Sequence, residues 1–520
     1  MASLFVALGA APLLAQFQSG TWSSNASGFW NDPGNWLDGL IAYGPDRTAL
    51  FQADPAGNAT IAVSAAAGLG DQPVVIGLLR FEDTDPSTVG NWQIDNLGYP
   101  LVLSNNASPH TVVDVRLATG SANNLITGWG IATIRANLVT TNTLVKDGPS
   151  PLVLAPAPDG PLMGANQFTA GTILSNGMLQ LGPTARDDSY NPVNSTALGG
   201  PAGGPVLFRG GILRSYLAAI PGSNPSTTPT VSGLPNDLII EAGQTGTLYL
   251  SPRAFPAFSG SVHGGGTLNL FVDFVRDNLG GNWSGFTGRV VVAATPRKTG
   301  DLRFTDEFVN NGSWANARVY ITTNGINANT VNMYNNGASG NVVVFGELAA
   351  DVPGIVTVFA NNTGAGAGNS LPMILRVGGL NTDASFSGNF AAPGVANGIG
   401  IIKEGTGTWI LNGPTIEYNG ITVISNGVLQ FGSGTSGKPG RTPVITNYAT
   451  LAFGRSDLLV VTNLIDGPGN VEQRGSGTLV LAPLGPGNPN TGRTIVRQGL
   501  LSVTNETALG PNPPSFTANQ

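Results

Sequence analysis

The sequence predicts an all-β protein, a parallel β-helix (solenoid) whose turns are rich in Gly and Asn. Its 520 residues include 74 Gly and 37 Pro, and only 10% are charged, which is unusual for a helical or α/β enzyme. Apolar runs of three to five residues, rich in Val, Ile, Leu and Thr, are bounded by Asn-Gly, Asp-Gly and Pro-Gly turns. After the first twenty residues, windows with helical apolar spacing contain Gly or Pro, so we expect almost no helix.

A phrase that recurs three times predicts stacked coils. Each copy couples a Gly turn to two short apolar runs, the second of which follows another Gly, and the copies lie near 145–182, 401–432 and 471–510. The two Gly residues are 29, 22 and 24 residues apart in the three copies, so insertions fall between fixed strands. A unit of this size can bury its apolar face only against its neighbours. Several runs show little alternation, which is typical of parallel strands.

We interpret residues 1–16 as a segment that resembles a secretory signal peptide. The apolar run from Leu4 to Leu14 is followed by Ala15, after which cleavage is expected, and the run is too short to span a bilayer. No Lys or Arg follows Met1, so the basic beginning of such a signal is missing. We therefore expect this segment to be truncated or to be a remnant.

Residues 17–60 form a Trp-rich region that we expect to cap the β-helix. Trp22, Trp30 and Trp36 lie within fifteen residues of one another. Aromatic rings of this size could close the open end of the stack, where strand edges would otherwise be exposed. The alternative is that the same rings stack against sugars.

Residues 61–520 are predicted to form the β-helix itself, as one solenoid without a domain boundary. The stretch from Pro201 to Pro256 is rich in Pro, Ser and Thr, and we expect it to loop out of the stack. The C-terminus is expected to be incomplete, because Ala508-Leu509-Gly510 has the form of a lead-in to another strand.

The composition excludes several kinds of chemistry. The chain has no Cys, which removes disulfides, thiolate metal sites and cysteine nucleophiles. Its two His residues, His110 and His263, lie in no nucleophile-elbow context and are too few for a multi-His metal site. The net charge is −7 and the Lys and Arg residues are scattered, so we expect no nucleic-acid partner. We also predict no metal, no cofactor and no transmembrane segment.

Paired carboxylates are the remaining candidates for catalysis, because parallel β-helices also include polysaccharide lyases and hydrolases that use Asp, Lys and Arg. Alternation along a strand would place both Asp residues of the segment 273–277 on one face. Each pair is close in sequence, however, whereas catalytic groups on a β-helix come together from neighbouring coils. We therefore expect solvated turns or surface charges. The pairs considered are Asp83 with Asp85, Asp187 with Asp188, and Asp273 with Arg276 and Asp277.

The repeated phrase resembles the autotransporter-associated β-strand repeat, whose usual form is Lys-x-Gly-x-Gly-Thr-Leu-x-Leu, a Gly/Asn-rich turn and Gly-x-Leu-x-Leu. The second copy has Lys403, then Gly405-Thr406-Gly407-Thr408-Trp409-Ile410-Leu411, and later Gly427-Val428-Leu429-Gln430-Phe431. The third copy runs from Arg474 through Gly475-Ser476-Gly477-Thr478-Leu479-Val480-Leu481. The first copy begins Lys146-Asp147-Gly148 and is interrupted by Pro residues.

This resemblance implies a right-handed β-helix that is the passenger of a secreted or cell-surface protein. The expected location is extracellular or at the cell surface, after secretion across the inner membrane of a Gram-negative-type bacterium, with a translocator or sorting domain outside this chain. We expect a structural or adhesive role without catalysis, and no catalytic, cofactor-binding or metal-binding residues. Surface glycans or other cells are the expected partners, bound through repeated weak contacts. The alternatives are a carbohydrate-active β-helix enzyme and a passenger that only displays another domain.

Overall fold

A computed structural model describes residues 17–511 except 56, 64–72, 84, 86–88, 97–98, 118–129, 156–165, 182–197, 216–233, 251–258, 273–276, 296–299, 324–328, 336–341, 362–372 and 392–397. The chain forms two compact units, Met1–Asp237 (unit 1) and Leu238–Gln520 (unit 2). Both units consist of short β-strands joined by turns. The expected signal-like segment, residues 1–16, lies outside the described residues.

Unit 1 has seventeen described strands and three short 3₁₀ helices, Pro33–Asn35, Leu37–Gly39 and Gly200–Gly203. The strands are β1 (Gly20–Trp22), β2 (Gly28–Phe29), β3 (Gly44–Phe51), β4 (Asn58–Val63), β5 (Val74–Glu82), β6 (Asn91–Asn96), β7 (Leu101–Leu103), β8 (His110–Arg116), β9 (Ala132–Ile134), β10 (Leu138–Thr140), β11 (Thr143–Asp147), β12 (Leu152–Leu154), β13 (Gln167–Phe168), β14 (Thr172–Leu174), β15 (Met178–Leu181), β16 (Val206–Phe208) and β17 (Ile212–Ser215).

Unit 2 has one α-helix, α1 (Asp306–Asn310), and one 3₁₀ helix, Glu506–Leu509, among its described residues. Its strands are β18 (Leu238–Ile239), β19 (Thr245–Leu250), β20 (Val262–His263), β21 (Thr267–Val272), β22 (Asp277–Leu279), β23 (Arg289–Ala294), β24 (Gly300–Phe304), β25 (Trp314–Ile321), β26 (Val331–Asn335), β27 (Val342–Ala350), β28 (Val356–Asn361), β29 (Met373–Val377), β30 (Ala384–Phe386), β31 (Asn389–Phe390), β32 (Ile399–Lys403), β33 (Thr408–Leu411), β34 (Thr422–Ile424), β35 (Val428–Phe431), β36 (Val444–Asn447), β37 (Thr450–Phe453), β38 (Leu458–Val461), β39 (Leu464–Asp466), β40 (Asn470–Gln473), β41 (Thr478–Leu481), β42 (Thr494–Val496) and β43 (Leu500–Val503).

The strands of unit 1 pair in parallel with strands one coil away in the sequence. Leu78 of β5 pairs with Val112 of β8, 34 residues later, and Val112 pairs with Val145 of β11 after 33 more. These coils are longer than the 22 to 29 residues that separate the two Gly residues of the repeat copies. The sheets are sheet A (β13-β10-β7-β5-β8-β11-β14-β16, with β3 on β5 and β1 on β3) and sheet B (β2-β4-β6-β9-β12-β15-β17).

In unit 2 successive strands of the chain lie in different sheets, and each strand pairs in parallel with its equivalent in the next coil. Val428 of β35, for example, pairs with Thr450 of β37, 22 residues later. The sheets are sheet C (β27-β29-β32-β34-β36-β39), sheet D (β19-β21-β23-β25-β27-β30-β33-β35-β37-β40-β42, sharing the long strand β27), sheet E (β22-β24-β26-β28-β31) and sheet F (β38-β41-β43), and β18 pairs in parallel with β20. The predicted parallel β-helix is confirmed.

The core of unit 2 consists of columns of inward side chains that stack from coil to coil. One column of sheet D contains Trp409, Leu429, Leu451 and Val471, which are in register and buried. Because a side chain in such a column contacts its equivalents above and below, each coil depends on its neighbours for burial.

The stretch 201–256 does not loop out of the stack as a whole, so that prediction is wrong for its described part. Residues Val206–Phe208 and Ile212–Ser215 pair in parallel with β14 and β15, and Thr245–Leu250 pairs with β21. Pro and Gly are frequent here because they lie at the corners between short strands, so their abundance does not indicate a loop outside the stack. The Ser- and Thr-rich part, 216–233, lies outside the described residues.

Candidate functional site

The repeated phrase builds a corner at which two coils touch through their backbones. In the second copy, Gly405 lies between β32 and β33, and the next coil places Gly427 beside it. Their φ angles are +68° and +64°, in the left-handed region that favours Gly. A Cβ on Gly427 would lie only 2.4 Å from the carbonyl oxygen of Gly405. Stacking of the coils therefore requires the second Gly of the phrase.

A buried Lys closes the same corner from inside. Lys403 is the last residue of β32 and is 1% exposed. Its Nζ donates to the carbonyl oxygens of Glu404 (2.5 Å) and Gly405 (2.8 Å), and to that of Asn426 (3.4 Å) in the next coil. One side chain thus joins two consecutive coils and pairs carbonyl groups that the turn leaves without a strand partner.

The first copy has the same corner. The Nζ of Lys146 donates to the carbonyl oxygens of Asp147 (2.6 Å), Gly148 (2.8 Å) and, in the next coil, Asn176 (3.1 Å). The Lys of the Lys-x-Gly part of the repeat therefore links two consecutive coils by hydrogen bonds. This role was not predicted from the sequence.

Burial shifts the titration of both lysines. It lowers the pKa of Lys146 to about 7, against the raising effect of the Asp147 and Asp114 charges. It also lowers the pKa of Lys403 to about 8, where the neighbouring Glu404 charge acts in the opposite direction. The carbonyl acceptors favour the charged ammonium form in each case.

The third copy replaces this Lys by an amide. Gln473, at the end of β40, is 3% exposed, and its Nε2 donates to the carbonyl oxygens of Gly475 (2.9 Å) and Gly477 (3.1 Å). The third copy as delimited by the repeat begins at Arg474, so the role of Gln473 could not be predicted from it. The only signal for it was the position of Gln473 two residues before the first Gly.

We expect Lys403→Met to destabilise unit 2 by about 1–3 kcal/mol, because it leaves buried carbonyl oxygens without a donor. Lys403→Gln should cost less, since Gln473 shows that an amide can donate to the carbonyl oxygens of the turn at the equivalent position of the third copy. Thermal unfolding followed by circular dichroism measures both variants. Equal loss of stability in Lys403→Met and Lys403→Gln would contradict the role of this side chain as a hydrogen-bond donor to the turn.

The three N-terminal Trp residues are buried in one aromatic cluster. Trp22 and Trp30 each lie 5.3 Å from Trp36 between ring centroids, and Phe51 of β3 lies 5.7 Å from Trp30. Trp22 and Trp30 are fully buried and Trp36 is 3% exposed. These rings therefore have no face available for a sugar. They pack on Phe51, whose ring stacks on Phe81 of β5 at 4.9 Å. That residues 17–60 cap the β-helix stays a prediction.

The sequence-predicted polar candidates are not brought together by the described structure. Asp83 accepts a hydrogen bond at Oδ1 from the backbone N of Asp85 (2.9 Å), which is a local turn. Asp187, Asp188, Asp273 and Arg276 lie outside the described residues, and the side chain of Asp277 does too.

The two His residues lie in different units, His110 in β8 and His263 in β20. Ser108 accepts from the backbone N of His110 at 3.1 Å, which does not activate its hydroxyl as a nucleophile. Over the ranges that the structure describes, no group of three or more His, Cys, Asp and Glu side chains is placed to hold a metal ion. Among those residues, too, no helix has the length and apolarity needed to cross a membrane.

The carboxylate of Glu472 lies on the outer side of β40 and is buried. Glu472 has a 5% exposed side chain and accepts from Arg497 at both oxygens (2.7 and 2.9 Å) and from Arg474 Nε at Oε2 (2.7 Å). Arg497 belongs to the next coil, so this pair also joins two coils. The hydrogen bonds from Arg497 and then Arg474 lower the pKa of Glu472 to about 2, although burial opposes them.

We expect Glu472 to make unit 2 acid-sensitive. Its folded-state pKa of about 2 is lower than its ordinary value of 4.5, so its stabilising effect is complete above about pH 4.5 and is lost as the pH falls toward 2. The difference in melting temperature between the natural chain and Glu472→Gln should therefore shrink over this range. Glu506→Gln, at an exposed position, is the control. A difference independent of pH would contradict the assignment.

Comparison with known proteins identifies the repeats. The family model of the passenger-associated-transport-repeat matches residues 401–431 and 471–503, which contain the second and third corners. The chain is also 26% identical over 550 aligned positions to the adhesin BmaC autotransporter of Brucella suis biovar 1 (strain 1330). The alignment covers 96% of this chain but 14% of the relative, so the chain spans about one seventh of that protein's length. No solved structure matches the chain.

The matched ranges agree with the second and third copies delimited from the sequence, and the first copy has the same Lys corner in the structure. Parallel stacking of coils explains why each copy has its two Gly residues, with a side-chain donor (Lys146, Lys403 or Gln473) two residues before the first of them. Residues 401–431 and 471–503 thus match the passenger-associated-transport-repeat, and the chain is similar along 96% of its length to an autotransporter adhesin.

Proposed function

We propose that this chain is an adhesive segment of a surface-displayed autotransporter passenger and has no catalytic activity of its own. The observation that carries the proposal is the similarity to an autotransporter adhesin along 96% of the chain, together with the passenger repeats. The proposed location is extracellular or on the bacterial surface. The proposed partners are surface glycans or other cells.

The stacked architecture suits this role physically. Its parallel sheets pair the backbone groups of successive coils, so turns and outer faces are held in fixed positions along the stack. Many weak contacts from such a surface can add up to firm attachment through multivalency. Adhesion then needs no active site.

Retention of coated beads tests the proposal. Beads that carry the purified chain at high density should be retained by cultured cells, whereas beads coated with the heat-unfolded chain should not. The supernatant from chain incubated with polysaccharides should show no new reducing ends. Equal retention of both bead types would count against adhesion, and released oligosaccharides would support a carbohydrate-active enzyme instead.

A further inference from the structure

An aromatic ladder crosses the outer face of sheet E. Arg303 of β24 is in register with Tyr334 of β26, and its Cζ lies 5.5 Å from the Tyr334 ring centroid. Tyr334 in turn stacks on Phe359 of β28, with the centroids 4.7 Å apart and the ring planes 12° from parallel. Both faces of Tyr334 are therefore covered, whereas Phe359 uses one face in this ladder.

The ladder stops at a small residue. The register of Thr357 with Asn389 and of Val358 with Phe390 places Ala391 beside Phe359 in the next coil. The backbone N of Ala391 donates to Val358 O at 2.9 Å, which confirms this position. Ala391 and Phe359 are both partly exposed. The second face of Phe359 is thus opposed by a methyl group in place of another large side chain.

A charged cluster follows one coil further along. Phe390 forms a parallel bridge with Ile416, and the backbone N of Glu417 donates to Phe390 O at 3.0 Å. Glu417 therefore lies beyond Ala391, two strand spacings or about 10 Å from Phe359. A flat ring that stacks about 4.5–5 Å from the Phe359 centroid would occupy the middle of this interval.

The cluster has an excess of positive charge. The carboxylate of Glu417 accepts from Lys438 Nζ at 2.7 Å and from Arg441 Nε at 2.5 Å, and these hydrogen bonds lower its pKa. One ionised carboxylate and two cations give a net charge of +1, on a chain whose total is −7. The side chain of Arg441 is 66% exposed, and Glu417 engages only its Nε. Its terminal nitrogens can still bind a carboxylate of a ligand.

A second aromatic pair in unit 2 lacks these features. The ring centroids of Tyr249 and Phe271 lie 4.9 Å apart with the ring planes tilted by 32°, and Phe271 is in register with Ala293. Ala293 is 3% exposed, so it is covered, unlike Ala391. The open position next to Phe359 therefore has no counterpart next to Phe271.

We propose that Phe359, Ala391 and the Glu417–Lys438–Arg441 cluster form a binding site for an acidic sugar unit of a glycan. The apolar face of the sugar ring packs on Phe359 above Ala391, and the sugar carboxylate binds the free edge of Arg441, with Lys438 adding positive charge. A neutral sugar has no carboxylate to offer to the terminal nitrogens of Arg441. This site rests on the proposed adhesive function and gives it a ligand class.

Calorimetric titration of the full chain with sialyllactose and trigalacturonic acid, and with lactose as the neutral probe, tests the site. Phe359→Ala and Arg441→Gln should each weaken acidic-sugar binding about tenfold, an effect of about 1.4 kcal/mol. Ala391→Phe should also abolish binding, because its ring would fill the open position beside Phe359. This variant keeps Phe359, Glu417, Lys438 and Arg441. Matched controls are Phe271→Ala, in the closed pair, and Arg376→Gln, which removes an exposed Arg paired with Glu404 at 2.5 Å on sheet C.

The proposal predicts binding of an acidic probe that the three site variants weaken and the two controls leave unchanged. It is overturned if neither acidic probe binds, if lactose binds equally well, or if the controls lose as much affinity as the site variants. Retention of coated beads without acidic-sugar binding would overturn this site alone. Loss of bead retention as well would overturn the adhesive function.

Discussion

Replacing Gly427 by Ala is expected to destabilise unit 2 by about 2–5 kcal/mol. The left-handed φ of +64° costs a residue with a side chain about 1–2 kcal/mol. The added Cβ would lie 2.4 Å from Gly405 O and 2.5 Å from Gly407 O, and forcing an extra methyl into such a contact costs about 1–3 kcal/mol more. Both obstacles are backbone atoms, so no side chain can move aside.

Thermal unfolding of Gly427→Ala, with Gly265→Ala as the control, measures this effect. Gly265 is exposed, and a Cβ there would meet its nearest atom at 3.5 Å, which is ordinary contact. The control should melt like the natural chain. If both variants melted at the same temperature as the natural chain, the backbone stacking at the repeat corner would be refuted.

The second large effect is expected for Trp36→Ala, which should destabilise unit 1 by about 3–5 kcal/mol. Trp36 contacts both Trp22 and Trp30 at 5.3 Å, and its Nε1 donates to Trp30 O at 2.7 Å. Removing the ring leaves a cavity inside the cluster that covers Phe51 at the first coils.

Hydrogen exchange along the chain locates this effect. Exchange should accelerate first in β3 and β5, since Phe51 and Phe81 lie directly under the cluster. Phe29→Ala removes a ring from the same region, but Phe29 is 52% exposed and this variant should leave exchange unchanged. Faster exchange confined to unit 2 would argue against a capping role for the Trp cluster.

Much of the fold could be predicted from the sequence because its signals are local. The Gly-turn phrase and the short apolar runs indicated stacked parallel strands, and the spacing of the second copy matched the 22 residues that separate Val428 from Thr450. A corner that needs a left-handed φ and close backbone approach can be recognised from a Gly alone.

The phase of the repeats could not be predicted. In the second copy the strand after the first Gly is β33 of sheet D, whereas in the third copy the strand before it, β40, occupies that sheet. The phrase therefore serves two different corners of the coil. A single sequence specifies a corner but not which corner, because loop lengths between copies set the phase.

The candidate glycan site was also invisible in the sequence. Phe359, Ala391 and Glu417 are separated by about thirty residues each and come together only through coil register. The paired carboxylates drew attention instead, since they are close in sequence. On a β-helix, a surface site is built across coils, so sequence neighbours are poor guides to it.

The most direct test uses Fab fragments raised against residues 401–503 on intact cells that produce this protein. If the chain is displayed on the surface and is adhesive, the fragments should label unbroken cells and reduce their attachment to cultured cells. Labelling only after the cells are lysed would contradict surface display. Labelling of intact cells with unchanged attachment would contradict the adhesive role.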